Sequence, residues 1–511
     1  MIDGWSSTFY VNWRAGSDAV LRSAKRFRVH RERKFMKNLR YSIAIPLTLL
    51  TALGWVWAQS PAPATATAGL AKVDITPPVP VRMCGYASRL MEGEPAEGRL
   101  FARALALGGA DGKVAALAIT VELLGIPKSL ADRVFARVHE RFDLPRERFM
   151  ISATHTHGGP SLTDFMQELH FCTPLSDEEK AHIDQYTDWL VDQLEAVAIG
   201  AVEGRLPATL SWGEGKATFG MNRRTIRDGK WVSMKPNPDG PVDHALPVLI
   251  VRRSSDSSVL GTFLSYACHF TSFSPPRQDF HGDWAGAAAA EIEQRHPGAV
   301  ALLAAGCGGD INPDPRTPDA GPFVEAHGRE IADQVDALLS GETEATPVAS
   351  VPVCNLKVIR VPLAFVPDRD HLNGWAQLGK KDPRRAFYGQ VWLDRLDRGM
   401  TVPKDFEYPV QTWRFDGIDN RPGVTAVFLA GEVVVEYGLR LKRELDSAKR
   451  RYWVMAYAND APGYIVTRQQ VAEGGYEPVN SNISYDKTSR MAPEAEDIII
   501  KAAEDLALGG E

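Results

Sequence analysis

Met150-Ile-Ser-Ala-Thr-His155-Thr-His157-Gly158-Gly159-Pro160 decides how the rest of the chain is read. Its apolar half predicts a buried strand, which stops at two histidines two residues apart and a Gly-Gly-Pro turn. On extended backbone, residues i and i+2 point to one face, so both imidazoles would aim at a single point. Imidazole is the commonest protein ligand for zinc, and ligands gather at the strand ends of open α/β sheets. A bare His-x-His also suits two loop histidines that hold nothing, so the assignment depends on what else the chain brings there.

Upstream, residues 69–74 predict a short strand stopped by Pro77-Pro78, and residues 85–100 a loop. Strands at 101–107 and 114–124, a helix at 129–142 and the strand at 148–153 complete a βαβ unit. Downstream, residues 161–187 are polar and irregular, the pattern of a loop over the site, and a helix is expected at 188–203. Strands are expected at 208–212, 247–252, 261–268, 299–305, 424–430 and 453–457. Asp283 is placed as the cap of an alanine-rich helix reaching Arg295. Further helices are expected at 433–445 and 492–508, and an internal boundary at 341–353.

The chemistry-bearing residues share a position in this pattern. His155 and His157, His269, Asp310 and Asn312, Glu432, and residues 459–464 each sit just past an apolar strand. In a mostly parallel sheet those ends share one edge, so residues far apart in sequence converge. Two or three histidines and one carboxylate form a plausible catalytic zinc set with a position left for water. The expected fold class is therefore α/β, one large catalytic domain over residues 69–511 with a mixed or parallel sheet and a metal site at the strand ends.

Composition narrows the setting. The chain has 511 residues, 44% apolar and 24% charged, an ordinary globular balance. Its five cysteines lie far apart with no Cys-x-x-Cys pair, which supports neither a cysteine zinc site nor a disulfide framework. Residues 36–58 combine a short basic segment, an apolar run and a closing Val56-Trp57-Ala58, the signature of a secretory signal peptide, with a Pro/Ala/Thr linker at 59–68. Residues 1–35 precede that signal and read as a gene-model artefact or a basic tail, the tail going with an uncleaved membrane anchor at 41–58. The expected location is exported, periplasmic or secreted. Residues 1–58 carry ten basic and three acidic side chains, so against −6 overall the remainder bears −13, which excludes nucleic acid as a partner.

Ala71-Lys-Val-Asp-Ile-Thr-Pro-Pro, Ser152-Ala-Thr-His-Thr-His-Gly-Gly-Pro, Gly306-Cys-Gly-Gly-Asp-Ile-Asn-Pro and Gly463-Tyr-Ile-Val-Thr resemble, in that order, the catalytic domain of the neutral (alkaline, non-lysosomal) ceramidase family. The resemblance runs along nearly all of residues 69–490. It implies an α/β catalytic domain that holds zinc and cleaves the amide bond of N-acylsphingosines, a lipid substrate reached through contact with a membrane surface. It also implies His155, His269, Glu432 and Tyr464 as the zinc ligands, with His157, Arg223 and Tyr476 around the scissile amide.

Two departures stand out. Where the family carries a serine after Gly-Asp-Val, proposed as its nucleophile, this chain has Asn312, and an amide cannot form an acyl-enzyme. The family's longer members continue into an immunoglobulin-like C-terminal domain, which is not expected here. The implied mechanism needs no serine, because zinc brings the pKa of a water to ~7. Tyr476, Arg223 or Asn312 would donate to the oxyanion and His157 would carry the proton. Two alternatives keep the zinc, a non-catalytic exported binding protein of the same fold and a hydrolase acting on a different amide or ester. A third is a metal-dependent phosphoesterase using His281, Asp283, Asp310 and Asn312.

Overall fold

The computed structural model describes residues 66–93, 98–273, 277–316 and 321–509. The signal segment at 36–58, the stretch before it and linker residues 59–65 lie outside the described residues. Ordered strand begins at Thr67, two residues inside the expected linker, because Ala68 is wholly buried between the sheets.

Nine strands build the larger sheet: β1 (Thr67–Asp74), β2 (Phe101–Gly108), β3 (Val114–Val121), β4 (Phe149–Ala153), β5 (Leu206–Lys216), β6 (Ala245–Arg253), β7 (Val259–Tyr266), β8 (Val300–Ala305) and β9 (Ala345–Val348). Their order is β8-β7-β6-β5-β1-β2-β3-β4, with β9 added along β5. A four-stranded sheet follows, β10 (Val353–Pro362), β11 (Asp405–Phe415), β12 (Gly423–Leu429) and β13 (Arg450–Met455), in sequence order. Among the described residues no helix is long and apolar enough to cross a membrane.

The two sheets pack face to face. Leu105, Met150, Leu249 and Phe263 of the first meet Trp413, Phe428 and Trp453 of the second in one buried cluster. The outer face of the first sheet is covered by α1 (Lys128–Phe142), α2 (Asp177–Glu203), α3 (Asp283–Arg295) and α4 (Gly321–Ser340), and that of the second by α7 (Val435–Leu445) and α8 (Ala495–Leu508). Between them in the chain, α5 (Arg369–Ala376) and α6 (Pro383–Asp397) form a separate small core around Leu372, Tyr388 and Trp392. Strands buried on both faces explain the near-continuous apolar runs in β3, β4 and β12.

The pairing makes the sheet mixed, one of the two forms expected. Most neighbours are antiparallel, and parallel pairing within the two sheets occurs at β3/β4, β7/β8 and β12/β13. Each of those pairs is joined by a helix (α1, α3 and α7), so the fold holds three βαβ units whose strands end together. There is no domain boundary at 341–353, since β9 pairs with β5 across Ala345–Gly213 and Val348–Leu210. Pro61–Glu511 form one compact unit.

The expected loop at 161–187 is largely helical, because α2 starts eleven residues before the predicted start at Asp188. Ser176 accepts from the Glu179 amide, and Glu179 returns a bond to the Ser176 amide. This capping box starts the helix in a polar stretch that has no apolar period to announce it. Ser176→Ala is expected to cost ~1 kcal/mol of stability, read as a lowered urea midpoint with an unchanged slope.

Asp283 does not cap α3. It is the first helical residue at φ 52°, and its carboxylate accepts the amides of Ser272, Phe273 and Trp284. It thereby pins the loop that follows His269 to the start of α3.

Candidate metal centre

The three βαβ units end at one place. His155 follows β4, His269 follows β7, and Glu432 follows β12. The backbones of the two sheets are joined there, by the Ala456 amide on the Ala305 carbonyl and the Asn459 amide on the Ile151 carbonyl.

His155 and His157 converge by a route the strand argument did not foresee. The β4 strand stops at Ala153, and His155 sits in the left-handed region at φ 71°. The turn, rather than the strand pleat, swings the two rings together at right angles with centroids 4.9 Å apart. Such a conformation costs of order 1–3 kcal/mol and persists where surroundings fix it. Here the His155 amide donates to Leu123 O, and its Nδ1 lies 2.7 Å from Leu124 O.

Around one point lie His155 Nε2, His157 Nε2 at 3.3 Å from it, and Glu432 Oε2 at 3.1 Å from His155 Nε2 and 3.2 Å from His269 Nε2. His155, His157 and His269 form the one group of three metal-ligating side chains among the described residues. His269 is oriented as His155 is, its Nδ1 lying 2.7 Å from Gly308 O. A backbone carbonyl accepts only, so each of these Nδ1 atoms carries the hydrogen and each Nε2 presents a lone pair. Lone pairs and a carboxylate facing one another with no hydrogen between them call for a cation.

Electrostatics point the same way. Burial drives His269 down to about 3 and His157 well below its ordinary value, which keeps both imidazoles neutral. Burial opposes ionisation of Glu432, and positive charge at His155 and His269 holds the carboxyl well below the usual range, a part that a bound cation takes when those imidazoles are neutral. Tyr457 and Tyr485 both donate to the same carboxylate.

Glu432 and Tyr464 are cross-strand partners in a two-residue parallel bridge, which puts their side chains next to each other. Tyr464 Oη lies 3.4 Å from His269 Nε2 and accepts from Arg223 Nη2 at 3.0 Å. Arg223 also donates to Asn312 Oδ1 at 3.1 Å and to Glu477 at 3.0 Å, and its guanidinium lies over the Tyr476 ring. The backbone prepares these positions. Asn312 pairs with Met221 in a short antiparallel bridge, and a Cβ on Gly309 would meet Glu432 O at 2.6 Å.

All eight expected site residues therefore fall within one constellation. Sequence reasoning missed Tyr457, Tyr485, Glu477 and Gly85. Gly85, at φ +92°, lies so close to the His157 ring that a Cβ would meet it at 2.8 Å. Glu477 adjoins Tyr476 and was open to notice, whereas nothing local marks Tyr485. The phosphoesterase set is not assembled: Asp310 binds the Val435 amide and Gln470, and Asp283 binds backbone amides, so neither carboxylate is left for a metal.

Residues 67–334, more than half of the chain, match the neutral/alkaline non-lysosomal ceramidase family in its N-terminal region. The chain belongs to that family. No curated protein sequence matches it. In structure this ceramidase-family chain is similar to the neutral ceramidase of Pseudomonas aeruginosa, with TM-score 0.63 and 19% identity over 87% of this chain and 74% of that one. It is similar too to a ceramidase complexed with C2, with TM-score 0.62 and 18% identity over 87% of this chain and 75% of that one. At such identities the likeness concerns the fold, a mixed α/β architecture in both. The family is metal-dependent, and the three-histidine group is where this member has the donors for an ion.

Proposed function

We propose that the protein is a zinc-dependent hydrolase cleaving the amide bond of a ceramide-like N-acyl lipid. The observation that carries this is the convergence of His155, His157, His269 and Glu432 beside Arg223, Tyr464 and Tyr476. Nitrogen and carboxylate donors in this number suit zinc better than magnesium or calcium, which prefer all-oxygen sets. His155, His269, Glu432 and Tyr464 would hold the ion, which supplies Lewis acidity and a water of pKa ~7.

The remaining roles belong to side chains. His155 and His269 have their Nδ1 atoms tied to backbone carbonyls, the outer support characteristic of metal ligands. His157 Nδ1 is buried with no partner, so this imidazole has the freedom to take a proton and pass it to the leaving nitrogen. Arg223, fixed by Glu477 and Asn312, and Tyr476 donate to the developing oxyanion. Apolar side chains for a lipid lie close by, in a cavity of about 840 Å³ that reaches from Tyr476 to Phe365, Trp375 and Ile483.

Asn312 favours a second reading, an exported protein that binds such lipids without cleaving them. Purified protein assayed for zinc and for hydrolysis of N-acyl amides and esters separates the two. We expect about one zinc per chain and turnover, and zinc without turnover would favour the binding protein. Asn312→Ala is expected to retain hydrolysis, reduced by no more than the ~10²–10³ typical of one oxyanion donor. Asn312→Ser is expected to leave the mechanism as it is, and an acyl-enzyme trapped on the wild-type protein would overturn the scheme.

A further inference from the structure

The same 840 Å³ cavity carries more charge than a lipid tail requires. Arg384, Arg385, Lys487 and Arg490 line it, against the single carboxylate of Asp382. Asp382 caps α6 through the Arg385 amide and lies 3.8 Å from Arg385 Nε, so the acid and one of the cations are already engaged.

The other three cations meet no carboxylate within salt-bridge distance among the described residues. Arg384 donates to Cys172 Sγ and Ser484 Oγ, and Arg490 to the Val471 carbonyl. Lys487 lies over the Phe406 ring at 4.1 Å, and burial lowers its pKa. The acids nearest to it are occupied elsewhere. Asp486 accepts from Trp392 and Arg395, and Asp460 from the Lys128 and Ala461 amides. All three side chains line the one recess, and an anion bound in it would offset charge that no carboxylate there balances.

We infer that this cavity binds the amine half of the substrate through an anionic group, a carboxylate, sulfonate or phosphate, which makes the preferred substrate an anionic N-acyl amide. The inference rests on the amide-hydrolase reading of the metal centre. The acyl half has no ionised group, so a charged group beyond Tyr476 must belong to the amine half. Phe365, Trp375 and Ile483 cover the carbons on either side of it.

The test compares N-dodecanoylglycine with N-dodecanoylethanolamine, which share an acyl chain and differ in charge, on wild-type protein and on an Arg384→Gln/Lys487→Met double variant. Wild type is expected to favour the glycine conjugate in kcat/KM by ~10-fold or more, the discrimination given by one charge-assisted hydrogen bond. The double variant is expected to lose that preference through a raised KM for the glycine conjugate. Arg490→Gln, an exposed position, is expected to give part of the effect should the double variant fold poorly. A wild-type enzyme indifferent to charge, or variants that keep the preference, overturns the inference. If neither amide is cleaved, equilibrium dialysis of N-dodecanoylglycine decides. Binding weakened ~10-fold in the variant upholds the cavity assignment and rejects the hydrolase, whereas no binding, or binding that the variant leaves unchanged, rejects the cavity assignment.

Discussion

Glu432→Ala is expected to abolish both metal retention and turnover while leaving the chain folded. Glu432 supplies the one carboxylate that faces His155 and His269, at 3.1 and 3.2 Å. Without it the donors are neutral imidazoles and a tyrosine, and the charge that compensates a divalent ion is gone. Removing a partner behind a ligand already costs ~10–100-fold in metal affinity, and loss of the ligand itself must exceed that. The variant should carry no zinc after dialysis, by elemental analysis, and show no hydrolysis above background, with wild-type circular dichroism. Full metal content in the variant would remove Glu432 from the donor set.

Glu477→Ala is expected to have the largest effect on stability. Its carboxylate is fully buried and receives both Arg223 and Arg224, themselves buried. Removing one partner of a buried ionic cluster typically costs 3–5 kcal/mol, because the remaining charges stay out of water. Arg224 keeps Glu473 and the Gly474 carbonyl, so the penalty falls mainly on Arg223, left with Tyr464 and Asn312. Chemical denaturation should show the loss, and turnover should fall with it as Arg223 loses its orientation. Glu477→Gln keeps the shape and lacks the charge, and is expected to lie between the two. An unchanged denaturation midpoint in Glu477→Ala would show that Arg223 is placed by other contacts.

Much of this was legible because buried strands announce themselves. The apolar runs at β3, β4, β8 and β12 were found nearly to the residue, and the site residues were found because they follow such runs. What was not legible depended on information that local pattern does not carry. The choice between a mixed and a parallel sheet stayed open because a buried strand has the same composition whichever way its neighbour runs. The sequence reading leaves residues 354–423 without elements, yet they hold most of β10, all of β11 and the helices α5 and α6. The β10 strand is partly exposed, so its apolar pattern is diluted. Tyr464 entered through family resemblance alone, since its position opposite Glu432 rests on a bridge of two residues per strand. A strand pattern places His155 on extended backbone and gives no warning of a left-handed residue at its end.

That the donors come from both sheets has a consequence for how the protein matures. His155 and His269 stand on the nine-stranded sheet, while Glu432 and Tyr464 follow the last strands of the four-stranded one. With the ligand set proposed above, neither sheet alone would offer a complete coordination sphere, so an ion added during folding would find no tight site until the two are in register. Metal uptake then reports completed assembly, and stabilisation by the ion falls on the native state alone, about 4.1 kcal/mol at a thousandfold excess over Kd. The apo chain should therefore come apart first along the seam where Ala456 meets Ala305 and Asn459 meets Ile151, with the amides there exchanging earliest when the ion is withdrawn.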